Sequence, residues 1–162
     1  DHNGPAMTFG MHAVGWLELG VPQNASHSFH QSYENIRPPF NVWAESPSGG
    51  AVNFITGAGG FLQGVWAGYG GIRIHNGGVS ATPQLPDGTT SLCVRGVGIL
   101  GSLVDITVDS SALITVEMRR SPATVGNLCV TDPHGGAQKV LTVGTPISFS
   151  QIDTPTIQIN SC

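Results

Sequence analysis

Five glycines fall within a twelve-residue apolar segment, at positions 57, 59, 60, 64 and 68. Each glycine in a helix interior costs about 1 kcal/mol relative to alanine, so a helix that carries several must gain something from the missing side chains. Close approach is the physical reason available. Either the backbone of a neighbouring helix packs against the glycine face, or a ligand lies at the segment's N-terminal end. Just before this segment, in a loop rich in Pro and Gly, a tryptophan and a carboxylate stand two residues apart as Trp43 and Glu45. Any chemistry the chain performs is expected in the stretch from 41 to 73.

Around this stretch the chain is sparsely charged, with 10% Asp, Glu, Lys and Arg in 162 residues. Typical domains carry about a quarter, so much of the surface is neutral or covered by something else. A net charge of −4 and six Lys plus Arg exclude the basic footprint of a nucleic-acid binder or of a protein that docks on anionic membranes. No apolar run is long enough to span a bilayer, and no signal peptide is visible. The sequence starts at Asp1 without an initiator Met, and reads as a processed product or a piece of something larger.

The hydrophobic period divides the chain. Pro5 opens a first helix on which Met7, Met11, Val14 and Leu17 form a stripe, widened by Phe9, Ala13 and Trp16 and closed by Gly20. Apolar on most sides, it belongs inside a larger helical assembly. Pro22 opens a second, more polar helix with Phe29, Tyr33 and Ile36 as its buried stripe, ended by Pro38-Pro39. The glycine-rich helix is expected over 53–68. Beyond Gly70 the period changes to two, and 72–74, 91–95, 103–109, 112–118, 128–131, 139–143 and 156–160 read as short strands separated by turn chemistry. The sequence thus predicts an α+β chain: a helical segment over 1–70, and an antiparallel β-sandwich over 71–162.

Cys93 and Cys129 each sit between apolar neighbours in strand-like runs, so alternation puts both sulfurs on the outer face. The expectation is either a disulfide between them or two separate free thiols, with Cys162 left over. Asn24-Ala25-Ser26 is an N-glycosylation triplet in a turn-like context. The six histidines show no ligand spacing with Cys or carboxylates, so no metal and no cofactor is expected.

Three blocks carry a resemblance: Gly4-Pro5-Ala6-Met7-Thr8, Pro39-Phe40-Asn41-Val42-Trp43-Ala44-Glu45, and the run from Ala51 to Gln63. In this order and spacing they resemble the C-terminal part of acid-trehalase-like glycoside hydrolases, in the family that also holds the maltose, trehalose and kojibiose phosphorylases. The resemblance implies the last helices of an (α/α)6 barrel followed by a C-terminal β-sandwich. It implies an inverting α-glucosidase acting on glucosyl-galactosyl-hydroxylysine or a related α-glucoside, in a secreted or lysosome-like setting. Glu45 matches the carboxylate that activates water, while the matching general acid lies in upstream sequence, the expected companion of this chain. Where the phosphorylases carry a His and a Ser for phosphate, this chain has Phe54 and Gly57, which favours water as acceptor.

The same residues have structural readings that stay open. Glu45 is either the base or an ordinary loop carboxylate. Trp43 is either a packing aromatic or a platform for a sugar ring. Asn53, Thr56 and Gly57 either cap the helix, with Asn53 as N-cap, or bond to sugar and water. An alternative to the enzyme is a non-catalytic carbohydrate-binding, storage or matrix protein built on the same scaffold.

Overall fold

The structure, a computed structural model, describes residues 5–123, 126–131, 137–150 and 156–162. It divides into two compact units, a helical one ending at Tyr69 and a strand-built one starting at Gly70.

In the helical unit, α1 (Ala6–Glu18) packs against α2 (Pro22–Tyr33), against α3 (Ile55–Gln63) and against a π-helical turn (Gly64–Tyr69) that continues α3. The glycines decide how closely these helices approach. A Cβ on Gly10 of α1 would lie 2.8 Å from the carbonyl carbon of Gly60, and one on Gly60 would lie 3.2 Å from the Met7 carbonyl oxygen. Gly64 fits under the Phe29 ring at 3.3 Å, and Gly68 against Leu17 Cδ1 at 3.2 Å. Of the two reasons for a glycine-rich helix, helix-to-helix approach accounts for these positions. Gly59 differs, with nothing within 4 Å of where its Cβ would be.

The buried stripe of α1 is Ala6, Phe9, Gly10, Ala13 and Leu17: Leu17, Phe9 and Ala13 lie where the sequence put them, while Ala6 and Gly10 take the places expected for Met7 and Met11. Met7 and Met11 are instead exposed, at 37% and 48%. Small residues win the inner positions because only they permit the close crossing with α3. On α2 the fully buried residues are Ala25, Ser26, Ser28 and Ser32, while the expected Phe29, Tyr33 and Ile36 are half-buried. Asn24 is exposed, but its triplet lies within the first turns of α2 and Ser26 is buried, which corrects the turn-like context read from sequence. A two-residue ladder of β1 (Ile36–Arg37) with β2 (Val42–Trp43) leads toward α3.

The strand-built unit holds two antiparallel sheets. One has four strands in the order β10 (Ile147–Ser150), β7 (Leu113–Arg120), β6 (Ser102–Asp109), β5 (Ser91–Ile99). The other has five, in the order β3 (Arg73–His75), β4 (Gly78–Ala81), β11 (Ile157–Ser161), β8 (Leu128–Thr131), β9 (Lys139–Val140). In β6, Val104, Ile106 and Val108 are buried while Asp105 and Thr107 alternate outward, as the period of two requires.

The cysteines correct the sequence reading. Cys93 lies on β5 of the four-stranded sheet, is exposed and is free. Cys129 lies on β8 of the other sheet and bonds Cys162, with Cα atoms 5.7 Å apart. Alternation misplaced Cys129 because β8 is flanked by β11 and β9, and Leu128, Cys129 and Val130 are all buried; strands buried on both faces do not alternate. Pairing of Cys129 with Asn160 in register then brings Cys162 within reach. Because 33 residues separate the two cysteines, Cys162→Ser is expected to lower the stability of this unit by about 2–4 kcal/mol. Amide exchange at Val130 and Ile159 reads that loss. Cys93→Ser should change it by less than about 0.5 kcal/mol, and equal losses would contradict the assignment.

Candidate active site

The loop that carries Glu45 is held at its neck by the main chain. Glu45 N–H donates to the Ala51 carbonyl at 2.9 Å, and the Glu45 carbonyl accepts the N–H of Ala6, the first residue of α1, at 3.0 Å. Arg37 adds a bond from Nη2 to the Pro47 carbonyl at 3.0 Å, and Ser46 Oγ bridges to the main chain of Gly49. These bonds give a Pro- and Gly-rich segment a defined shape, because each ties a main-chain group that a loop would otherwise leave to water. The Glu45 side chain folds back over the loop, where Oε2 accepts the Ala51 N–H at 2.8 Å. Glu45 is half-buried as a residue, and the bond to its carboxylate is exposed.

Trp43 precedes this neck. Its indole N–H donates to the Ser32 carbonyl at 3.0 Å, and its ring lies tilted against Phe61 with centroids 5.3 Å apart. Phe61 in turn stacks on Phe29 at 5.2 Å and meets Tyr33 edge-on at 5.7 Å. Trp43 therefore belongs to an aromatic cluster between α2 and α3. Within that cluster the phenol of Tyr33 is pushed above its usual pKa by desolvation, and it shares a 2.6 Å bond with His30 Nδ1.

The N-cap of α3 is Phe54, and no side chain caps it. The expectation of Asn53 as N-cap fails because the chain reaches helical geometry one residue later. Asn53 contributes its carbonyl to the Ile55 N–H at 3.2 Å and is exposed. Gly57 is buried, and a Cβ there would lie 2.9 Å from Phe54 Cδ1 and 3.2 Å from Trp43 Cδ1. Thr56 lies elsewhere, exposed on the wall of a groove of about 370 Å³ with Met7, Met11, Gly59, Gly60 and Gln63. The structure thus brings Trp43 and Gly57 together, and sets Glu45 in its own loop and Thr56 on the apolar groove. The groove's exposed methionines belong to the helix that the sequence reading, finding it apolar on most sides, assigned to a larger helical assembly. Among the described residues, no three His, Cys, Asp or Glu gather to hold a metal ion, and no helix is long and apolar enough to cross a membrane.

No protein-family profile matches the sequence. Curated relatives do. Over 118 residues the chain is 52% identical to a protein-glucosylgalactosylhydroxylysine glucosidase of Dictyostelium discoideum, a match that takes in 72% of this chain and 16% of that protein. The chain is similar to part of these glucosidases. The Danio rerio protein of the same name is 40% identical over 150 residues, covering 92% of this chain and 23% of that one, and so large a share must include Trp43 to Gly57. A kojibiose hydrolase of Mucilaginibacter mallensis is 38% identical over 96 residues, 58% of this chain and 14% of that protein. Among solved structures, one described as a kojibiose phosphorylase from the human microbiome superposes with a TM-score of 0.63 at 14% identity, over 91% of this chain and 20% of its own. At that identity the likeness concerns the fold. The chain spans about a sixth to a quarter of the length of the first two glucosidases.

Proposed function

We propose that the chain is the C-terminal portion of an inverting α-glucosidase that hydrolyses glucosyl-galactosyl-hydroxylysine or a related α-glucoside. The observation that carries this reading is the 52% identity to a glucosidase of that name. Glu45 is the general base: it takes a proton from a water that attacks the anomeric carbon. A carboxylic acid from the upstream portion protonates the leaving oxygen on the opposite face. Trp43, Asn53 and Gly57 line or support the sugar subsite, whereas Thr56, expected there too, lies on the apolar groove beside Met7 and Met11. Water rather than phosphate is the acceptor, because Phe54 and Gly57 stand where the phosphorylases carry the His and Ser that hold phosphate.

The helical unit supplies the last helices of an (α/α)6 barrel, and the two antiparallel sheets form the sandwich that follows it. Exposed Met7, Met11, Ile55 and Leu62 are the surface that the upstream portion covers. Grouped apolar side chains of this kind mark an interface in a water-soluble protein. The Cys129–Cys162 bond supports an oxidising, secreted or lysosome-like setting, in which Asn24 can carry a glycan.

The 162-residue chain by itself is expected to hydrolyse neither glucosyl-galactosyl-hydroxylysine nor trehalose. A base without its acid leaves the glycosidic oxygen unprotonated, and an incomplete barrel cannot exclude water from the pocket. With the upstream portion added back, proton NMR should detect β-glucose as the first product from the hydroxylysine glycoside. Turnover by the lone chain would overturn the fragment reading. No turnover after reassembly would favour the non-catalytic carbohydrate-binding, storage or matrix protein.

A further inference from the structure

We infer that Gly50 and the main-chain N–H of Ala51 are the positioning elements of the Glu45 carboxylate, an inference that rests on the reading of Glu45 as general base. Three observations carry it. The Ala51 N–H donates to Glu45 Oε2 at 2.8 Å, so one carboxylate oxygen is held by a main-chain group rather than by another side chain. The same residue's carbonyl accepts the Glu45 N–H at 2.9 Å, so Glu45 is gripped at both its main chain and its carboxylate. Gly50 lies directly under that carboxylate: a Cβ there would stand 2.8 Å from Glu45 Cδ and 2.9 Å from Glu45 Cβ, and would collide with Oε2 outright.

Gly50 also has a φ of +78°, in the region that glycine enters freely and other residues rarely do. The chain therefore needs glycine at this position twice over, for the turn and for the space. Oε1 is left to receive the proton of an attacking water. A base serves only when its accepting oxygen is held within hydrogen-bond reach of that water. A loop carboxylate with no such grip would sample many rotamers and lose that position.

Four variants test this in the protein reunited with its upstream portion. Gly50→Ala should displace the carboxylate and lower kcat by about a hundred-fold, the scale of a misplacement of roughly 1 Å, with KM little changed. Gly50→Asn separates the causes, because Asn tolerates positive φ yet still brings a Cβ into the carboxylate; it should lose as much. Gly49→Ala is the control, since its Cβ would come no closer than 4.0 Å to Ser46 Oγ, and it should leave both constants unchanged. Glu45→Ala tests the underlying reading.

Azide distinguishes a missing base from a damaged fold. It attacks the anomeric carbon without giving up a proton: the carbon–nitrogen bond forms, the glycosidic carbon–oxygen bond breaks, and the leaving oxygen takes its proton from the upstream acid. Turnover to β-glucosyl azide should therefore return in Glu45→Ala and in both Gly50 variants. Rescue of Glu45→Ala together with full activity of Gly50→Ala would overturn the positioning role and leave the base intact. Loss in the Gly50 variants without azide rescue, while Glu45→Ala is rescued, would also overturn it, as a merely structural defect. Absence of rescue in Glu45→Ala would remove the base assignment itself.

Discussion

Glu45→Gln, in the protein complete with its upstream portion, is expected to lower turnover by about a hundred-fold or more, the contribution of a positioned general base. The substitution is chosen to leave the loop alone. Gln retains an oxygen that can accept the Ala51 N–H now bonded to Oε2 at 2.8 Å, and the main-chain pair between Glu45 and Ala51 is untouched. The thermal midpoint should then stay where it is while kcat falls and KM changes little. A second consequence concerns geometry. Inversion requires room for a water, so the Glu45 carboxyl should face the upstream acid at about 6.5–9.5 Å. An unchanged kcat in Glu45→Gln, or a separation near 5 Å in a structure of the whole protein, would rule Glu45 out as the water-activating base.

The second large effect concerns the helix crossing: two glycines, Gly10 on α1 and Gly59 on α3, should respond with opposite sign to one substitution. Gly10→Ala places a methyl 2.8 Å from the Gly60 carbonyl carbon. Main chain is all that could yield there, so α1 and α3 must move apart. Alanine is the better helix former by about 1 kcal/mol, yet overpacking of this kind costs about 1–3 kcal/mol, and the net should be destabilising. Gly59→Ala meets nothing within 4 Å and should stabilise by up to about 1 kcal/mol. All three tryptophans, Trp16, Trp43 and Trp66, lie in the helical unit, so urea unfolding followed by tryptophan fluorescence reads this unit without interference from the sheets. Equal and favourable shifts for both variants would contradict the close crossing.

That crossing was legible in the sequence because glycine has so few reasons to sit in an apolar helix. What could not be read was which face of α1 it selects. Met7 and Met11 are the more hydrophobic choice, and only the geometry of Gly60 shows that Gly10 must point inward. The strands divide in the same way. Those with clean alternation, β6 and β7, lie within about a residue or two of their expected bounds. Strand β4, Gly78-Val79-Ser80-Ala81, was missed because all four residues are buried and no alternation exists to be seen. Strand β5 runs on to Ile99 past the expected end at Arg95, because a bulge between Val94 and Val97, with Gly96 at a φ of +69°, resets which side chains face inward. At the candidate site, the family blocks singled out Glu45. The bond that holds its carboxylate joins residues six apart through the main chain, and no residue type announces a main-chain donor.

The order of the five-stranded sheet bears on how the protein is made. Strand β11 sits between β4 and β8, yet it follows both in the chain. During synthesis, β4 and β8 emerge with the edges that will receive β11 still open, and neither can pair directly with the other in the final arrangement. Buried Ile157 and Ile159 follow both flanking strands in the chain, so the middle of this sheet is completed after its flanks. Long-range pairing of this kind is slow, and unpaired edges invite association with other chains. Until β11 inserts, this sheet is open at its centre, which makes the interval before that insertion the point at which a chaperone has most to protect.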